Sequence, residues 1–182
     1  MSKLIKPTRI LAIDPGTRDM GFALFEGYSL VRYWVKSLRK EKVPEDVVMK
    51  SKQIVLDLIQ RFSPGVIVLG KIVHPGNKKK LALRRLVAQT KLLARKNKVK
   101  LYEYEQAAAR EIISQGEKPT KRNTAILISS LYPELSVYVP RPRRILWKEK
   151  DFYWVNVFDA CTLALTYLEK EGAKEGNQSK QK

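Results

Sequence analysis

The sequence predicts an α/β chain built on a mixed five-stranded sheet with helices on both faces. Two observations carry this. The apolar runs follow the order strand, strand, strand, helix, strand, helix, strand, helices. The first three strands are joined by turns too short for anything but an antiparallel meander, whereas Val66-Ile67-Val68-Leu69 is apolar throughout, as in a parallel strand buried on both faces. At 182 residues with 44% hydrophobic content, the chain is long enough for one full core and too short for two.

Arg9 to Asp14 is a continuous apolar run that ends in a carboxylate, and Pro15-Gly16 turns the chain. Met20 to Phe25 forms the second strand, and Glu26-Gly27 makes the next turn. In the third strand, Leu30 to Val35, the residues Val31, Tyr33 and Val35 alternate with Arg32 and Trp34. Glu45 to Phe62 places Val48, Ile54, Val55, Leu58 and Ile59 at helical spacing before Ser63-Pro64-Gly65 stops it. After the strand Val66 to Leu69 a helix is expected from about Lys79 to Lys96, with a core stripe of Leu81, Leu83, Leu86, Val87, Leu92 and Leu93. A strand from Val99 to Tyr104 and helices over Gln106 to Ser114 and Lys121 to Leu131 follow. Tyr132 to Arg144, basic and proline-bearing, is expected to be an extended connection. Phe152 to Glu169 is an apolar closing helix, and 170–182 is expected to be a disordered basic tail after a single domain over 1–169.

Composition narrows the function classes. With 36 Lys and Arg against 18 Asp and Glu, the net charge is +18, which implies a polyanionic partner: nucleic acid first, an anionic membrane surface as its rival. The basic N-terminus has no apolar run suited to a signal peptide, and no segment approaches a transmembrane span, so a cytoplasmic protein is expected. Cys161 is the only cysteine and His74 the only histidine, which excludes an intrachain disulfide and a Cys/His zinc site. A metal here must be held by oxygen, which favours Mg²⁺ or Mn²⁺.

The helix after the fourth strand is charged on one side only. Lys78, Lys79, Lys80, Arg84 and Arg85 lead a run with no acid between Lys71 and Lys100, suited to phosphate contacts that give affinity without sequence readout. A second cluster holds Arg141, Arg143, Arg144, Lys148 and Lys150, interleaved with Trp147, Phe152, Tyr153 and Trp154, aromatics better suited to filling the core than to stacking on bases.

Two acids stand out. Asp14 closes the first strand at the sheet edge. Asp159 is the only acid in the apolar run Val155 to Leu165, where burial demands a partner or a metal. Asn156, three residues before it, shares its helical face, and Ala160 and Ala164 allow that helix close to the sheet. A salt bridge to one of the many arginines is the alternative explanation for Asp159.

Ile13-Asp14-Pro15-Gly16 with Gly21 resembles the opening of RuvC-type Holliday junction resolvases, in the ribonuclease H-like superfamily. The fourth strand, the basic helix, the fifth strand running into Glu105-Gln106-Ala107, the turn Gly116 to Lys121 and the Asp159-Ala160 helix follow the same order, so the resemblance spans Arg9 to Leu168. It implies a ribonuclease H-like sheet with the fourth and fifth strands parallel to the first, and metal-assisted phosphodiester hydrolysis. Asp14 and Asp159 would be Mg²⁺ or Mn²⁺ ligands, with Asn156 at the position one turn earlier; an alternative register puts Asp159 there and Thr162 last. Lys121 matches the family's basic residue near the phosphate, with Lys118 a second candidate and a further DNA contact. The partner implied is a four-way DNA junction, bound by a homodimer.

One departure bears on activity. The family glutamate at the end of the fourth strand is Gly70 here, followed by Lys71, which would add positive charge near the site. Glu103 or Glu105 on the fifth strand is the available replacement. The expectations are therefore a junction endonuclease impaired at Gly70, or a junction-binding protein of the same fold that does not cut. The Asp-x-Gly-Thr pattern also resembles the phosphate loop of actin-like sugar kinases, which need a second domain that this chain is too short to hold.

Overall fold

A computed structural model describes residues 8–72, 78–114, 116–142 and 149–179. Its centre is strand β1 (Arg9–Asp14), flanked on one side by β2 (Asp19–Glu26) and β3 (Ser29–Ser37) and on the other by β4 (Val66–Lys71) and β5 (Lys100–Glu105). The sheet order is β3-β2-β1-β4-β5, with β2 and β3 antiparallel to their neighbours and β4 and β5 parallel to β1. This is the expected mixed sheet of ribonuclease H-like form. Asp14 lies opposite Gly21 on β2, and Ile13 lies opposite Leu69 on β4, so the end of β1 is level with Gly70.

Helices α1 (Pro44–Phe62) and α2 (Lys78–Lys96) cover one face, where Leu11, Ile13, Phe22, Ile67 and Leu69 meet Ile54, Leu58 and Leu86. Helices α3 (Gln106–Ser114), α4 (Lys121–Leu131) and α5 (Glu149–Ser179) cover the other, against Ile10, Ala12, Phe25 and Val68. Strand residues alternate between faces, so Asp14, in step with Ile10 and Ala12, belongs to the α5 face.

Local chemistry explains the boundaries. Helix α1 opens with Pro44 and with Glu45 and Asp46 in its first turn, where the dipole favours acids, and closes at Ser63 in the left-handed region. The Thr120 hydroxyl caps α4 by accepting from the Asn123 N–H at 3.1 Å. On β3, Trp34 turns to the α1 face and stacks on Phe22, ring centroids 5.4 Å apart, a contact worth about 0.5–1.5 kcal/mol beyond its burial.

Three expectations need correction. The connection after α4 is not extended: Pro133–Tyr138 form a 3₁₀ helix, started by the fixed backbone angle of Pro133 and held by the buried Leu135. The closing helix does not stop at Glu169: the helical backbone of α5 runs on to Ser179. On α2, Leu86, Val87 and Leu93 are buried with Ala82 and Ala94, but Leu81 and Leu92, eleven residues apart and so on one helical face, point outward. Tyr153 and Trp154 pack into the α5-face core, Trp154 stacked on Tyr138 at 3.8 Å, as the reading of those aromatics as core expects.

Candidate functional site

Asp14 and Asp159 meet on the α5 face, at the end of the central strand. Their convergence depends on Gly21. A Cβ there would overlap the backbone carbonyl of Asn156 and lie 2.7 Å from its Cβ, so only glycine lets α5 come down onto β2. Gln106, the first residue of α3, bridges the two acids: its Nε2 donates to Asp14 Oδ1 at 3.1 Å and to the Asp159 carbonyl at 3.2 Å. The Gln106 Oε1 is buried and accepts no hydrogen bond among the described residues.

Asp159 is closed by cations of the chain itself. Arg110 Nη1 donates to its Oδ1 at 3.0 Å, and Lys121 Nζ to its Oδ2 at 3.2 Å. The Arg110 and Asp159 side chains are only 15% and 8% exposed, so this ion pair lies largely out of water, whereas Lys121 is half exposed. Burial, and after it the charge of Asp159, push the Asp14 carboxyl up to about 8; Lys121, the Gln106 hydrogen bond and Arg110 pull the other way. A third acid at this sheet edge, Asp19, is buried and gripped by both Nε and Nη2 of Arg39 at 2.7–3.1 Å.

Of the other expected site residues, Gly70 is in place. A Cβ on it would lie 3.6 Å from Asp14 Oδ1 and from Leu163 Cδ1, and 2.9 Å from Pro15 Cδ. Asn156 donates from Nδ2 to the carbonyl of Tyr153 at 3.1 Å, so one turn before Asp159 the helix offers an amide in place of a carboxylate. Thr162, the last residue of the alternative register, donates its hydroxyl to the Phe158 carbonyl of its own helix, 2.7 Å away. The two candidate replacements, Glu103 and Glu105, do not converge on Asp14. Glu103 turns to the opposite face and pairs with Lys91 on α2 at 2.8 Å, and Glu105, two residues along the strand, shares its facing. Lys71 also leaves the site: it lines a cleft of about 260 Å³ with Arg84, Lys91 and Glu103.

The basic helix lies across the sheet from the acids. Arg84 and Arg85 are exposed on α2, but Arg85 pairs with Glu45 of α1 at 3.2 Å, so its charge is partly compensated in space though not in sequence. Lys78, Lys79 and Lys80 form the first turn of α2, whose side chains lie outside the described set. Lys118 is exposed in the turn before α4 and Arg141 half-buried beyond the 3₁₀ helix; Arg143 and Arg144 lie outside the described residues. Sequence reasoning missed Gln106 and Arg110. The only signal for either was position, directly after the fifth strand and one turn further on.

The divalent ions that the resemblance implies do not fit this donor set. A hard cation of the Mg²⁺ type wants several oxygens, usually anionic. Among the described residues no three Asp, Glu, His or Cys side chains gather as a metal would need. Both carboxylate oxygens of Asp159 already accept from cations, and Gly70 contributes none.

Comparison with known proteins agrees with the fold. No family model matches the chain. The crossover junction endodeoxyribonuclease RuvC of Sulfurovum sp. is 23% identical over 167 residues, covering 88% of this chain and 95% of that protein. Thermus thermophilus RuvC superposes with a TM-score of 0.67 at 18% identity over 91% of this chain and 97% of that one. RuvC from T. thermophilus in complex with a Holliday junction substrate gives 0.64 at 18% identity, covering 87% and 91%. The yeast mitochondrial Holliday junction resolvase gives 0.64 at 16% identity, covering 92% and 80%. In sequence and in fold alike, this chain resembles the RuvC-type resolvases and carries their ribonuclease H-like architecture.

Proposed function

We propose that the chain acts on four-way DNA junctions as a RuvC-type protein that retains junction recognition and has lost most of its capacity to cut. Resemblance to resolvases over nearly the whole chain supports a nuclease ancestry and a branched-DNA substrate. The observation that carries the rest is the state of the acid site. Asp14 and Asp159 stand together at the end of the central strand, yet Gly70 occupies the position where the resemblance implies a glutamate, and Asp159 is bound to Arg110 and Lys121. Hydrolysis assisted by Mg²⁺ or Mn²⁺ depends on a full set of carboxylates, whereas binding depends on the net charge of +18 and on shape. The working unit is the domain 1–169, placed in the cytoplasm and acting as a homodimer, because a four-way junction presents two equivalent strands to a two-fold assembly.

The second reading, a competent junction endonuclease, is favoured by Lys121 beside Asp159, where it would face the phosphate. One set of measurements separates the two. Affinity for a synthetic four-way junction, a linear duplex and a single strand is measured at matched ionic strength, and nicking of the same junction is followed with Mg²⁺ and with Mn²⁺. The expected result is preferential junction binding and little or no nicking. Efficient metal-dependent cutting would favour the second reading, and equal affinity for all three DNAs would overturn both.

A further inference from the structure

We infer that Arg110, assisted by Lys121, is the permanent counter-charge of the sheet-edge acids, so that the chain itself closes the site and no divalent ion is taken up there. This deepens the function proposed above and rests on it only for the kind of DNA involved.

Asp14 and Asp159 bring at most two negative charges to the end of β1, and Arg110 and Lys121 bring two positive ones within 3.2 Å of Asp159. A divalent ion entering this cluster, which carries no excess of negative charge, would leave it net positive in a poorly solvated corner, and would have to displace a guanidinium from a largely buried carboxylate. A chain with a glutamate at 70 and an aspartate at 156 would carry two more acids than cations at this point, and an ion would be required. Here Gly70 and Asn156 remove that excess. Asp19 follows the same rule with Arg39 on the same sheet edge, so each of these acids other than Asp14 is neutralised by an arginine of the chain.

Arg110 is therefore a positioning residue. It holds the Asp159 carboxylate against α3, while Gln106 from the same helix spans to Asp14, and together they fix α5 to the end of β1 with no metal.

The test uses the full chain and Mn²⁺ as its probe, following the signal of free aqueous Mn²⁺ by paramagnetic resonance during titration. Wild type is expected to leave that signal as it is in buffer. Stoichiometric Mn²⁺ uptake that disappears in Asp159→Asn would overturn the inference. A double-mutant cycle on thermal stability gives a second reading. Arg110→Gln is expected to lower the melting temperature in the wild-type background, by much less when Asp159→Asn is also present, and Arg110→Lys is expected to recover part of the loss. An equal loss in both backgrounds would show that the pair is not coupled and would also overturn the inference. Junction binding, measured alongside in EDTA, bears on the proposed function alone: a wild type that ignores junctions yet excludes Mn²⁺ refutes that function and leaves this inference standing.

Discussion

Gly70→Glu puts back the carboxylate that the fold's resemblance leads one to expect, and the structure sets what this should cost. Any side chain at 70 begins with a Cβ 2.9 Å from Pro15 Cδ, an atom of a closed ring that cannot swing aside, and 3.6 Å from Leu163 Cδ1. Overpacking of this kind costs about 1–3 kcal/mol. Gly70→Ala is expected to show that cost alone, and in a chain of 182 residues each kcal/mol moves the melting temperature by roughly 2–4 °C. Glutamate adds charge to the strain. Its Cβ is 3.6 Å from Asp14 Oδ1. Above about pH 8, where Asp14 has given up its proton, two ionised carboxylates about 5 Å apart repel by about 3 kcal/mol at an effective dielectric constant near 20, and that is where the melts are compared. In EDTA, Gly70→Glu should therefore melt below Gly70→Ala, and Mn²⁺ should close or reverse that difference while leaving wild type and the alanine variant unmoved. Nicking of a four-way junction in Mn²⁺ should rise above wild type for the glutamate variant, further with Asn156→Asp, and not for alanine. Two results would refute the reasoning. An alanine variant as stable as wild type would remove the contact with Pro15. A folded, junction-binding Gly70→Glu that behaves as alanine does in Mn²⁺, in both melting and nicking, would show that position 70 does not face the acids.

Two further outcomes follow from the same geometry. Gly21→Ala is expected to destabilise the chain by about 3 kcal/mol or more, because its methyl group meets backbone of α5 and no flexible side chain can yield; calorimetry that shows a loss below 1 kcal/mol would disprove the close approach. The second concerns pH. The folded chain holds a proton on Asp14 up to about 8, whereas the unfolded chain releases it near the ordinary value of 3.8, so between those limits the folded state binds more protons and stability falls as pH rises. Asp14→Asn removes this contribution, so its melting temperature relative to wild type should climb between pH 5 and 8, and a difference independent of pH would contradict it.

The parts of the fold legible in the sequence are those governed by local period. The strands from Arg9 and Met20, and the helices over Gln106 to Ser114 and Lys121 to Leu131, were marked by apolar spacing and turn chemistry, and α5 was found from its apolar run. The 3₁₀ helix was not, since a basic, proline-bearing stretch gives no sign that one leucine, Leu135, will be buried. At the site, Asp14 and Asp159 were visible because an isolated acid in apolar surroundings demands an explanation. Their partners were not: Arg110 reaches Asp159 across 49 residues and Gln106 reaches Asp14 across 92, and no spacing rule joins residues so far apart. The absence of acids along α2 was legible and yet misleading, because Glu45 from α1 and Glu103 from β5 supply them in space.

Asp14 is flanked by glycine on both neighbouring strands, Gly21 on β2 and Gly70 on β4, and the two have opposite significance. At 21 the obstacle to a side chain is the backbone of α5, so glycine there is what brings Asp159 to Asp14 at all; any chain that pairs these acids in this way needs it. At 70 the obstacles are a proline ring and a leucine tip, while the nearest polar atom is the Asp14 carboxylate itself, so a side chain there is sterically costly and chemically decisive. With an acid at 70 and Asp14 ionised, the corner would hold more negative charge than Arg110 and Lys121 can neutralise, and an external cation would be needed to balance it. With glycine the chain's own cations suffice. On the function proposed above, positions 70 and 156 together set whether this corner needs an external cation, while the elements that build it stay the same.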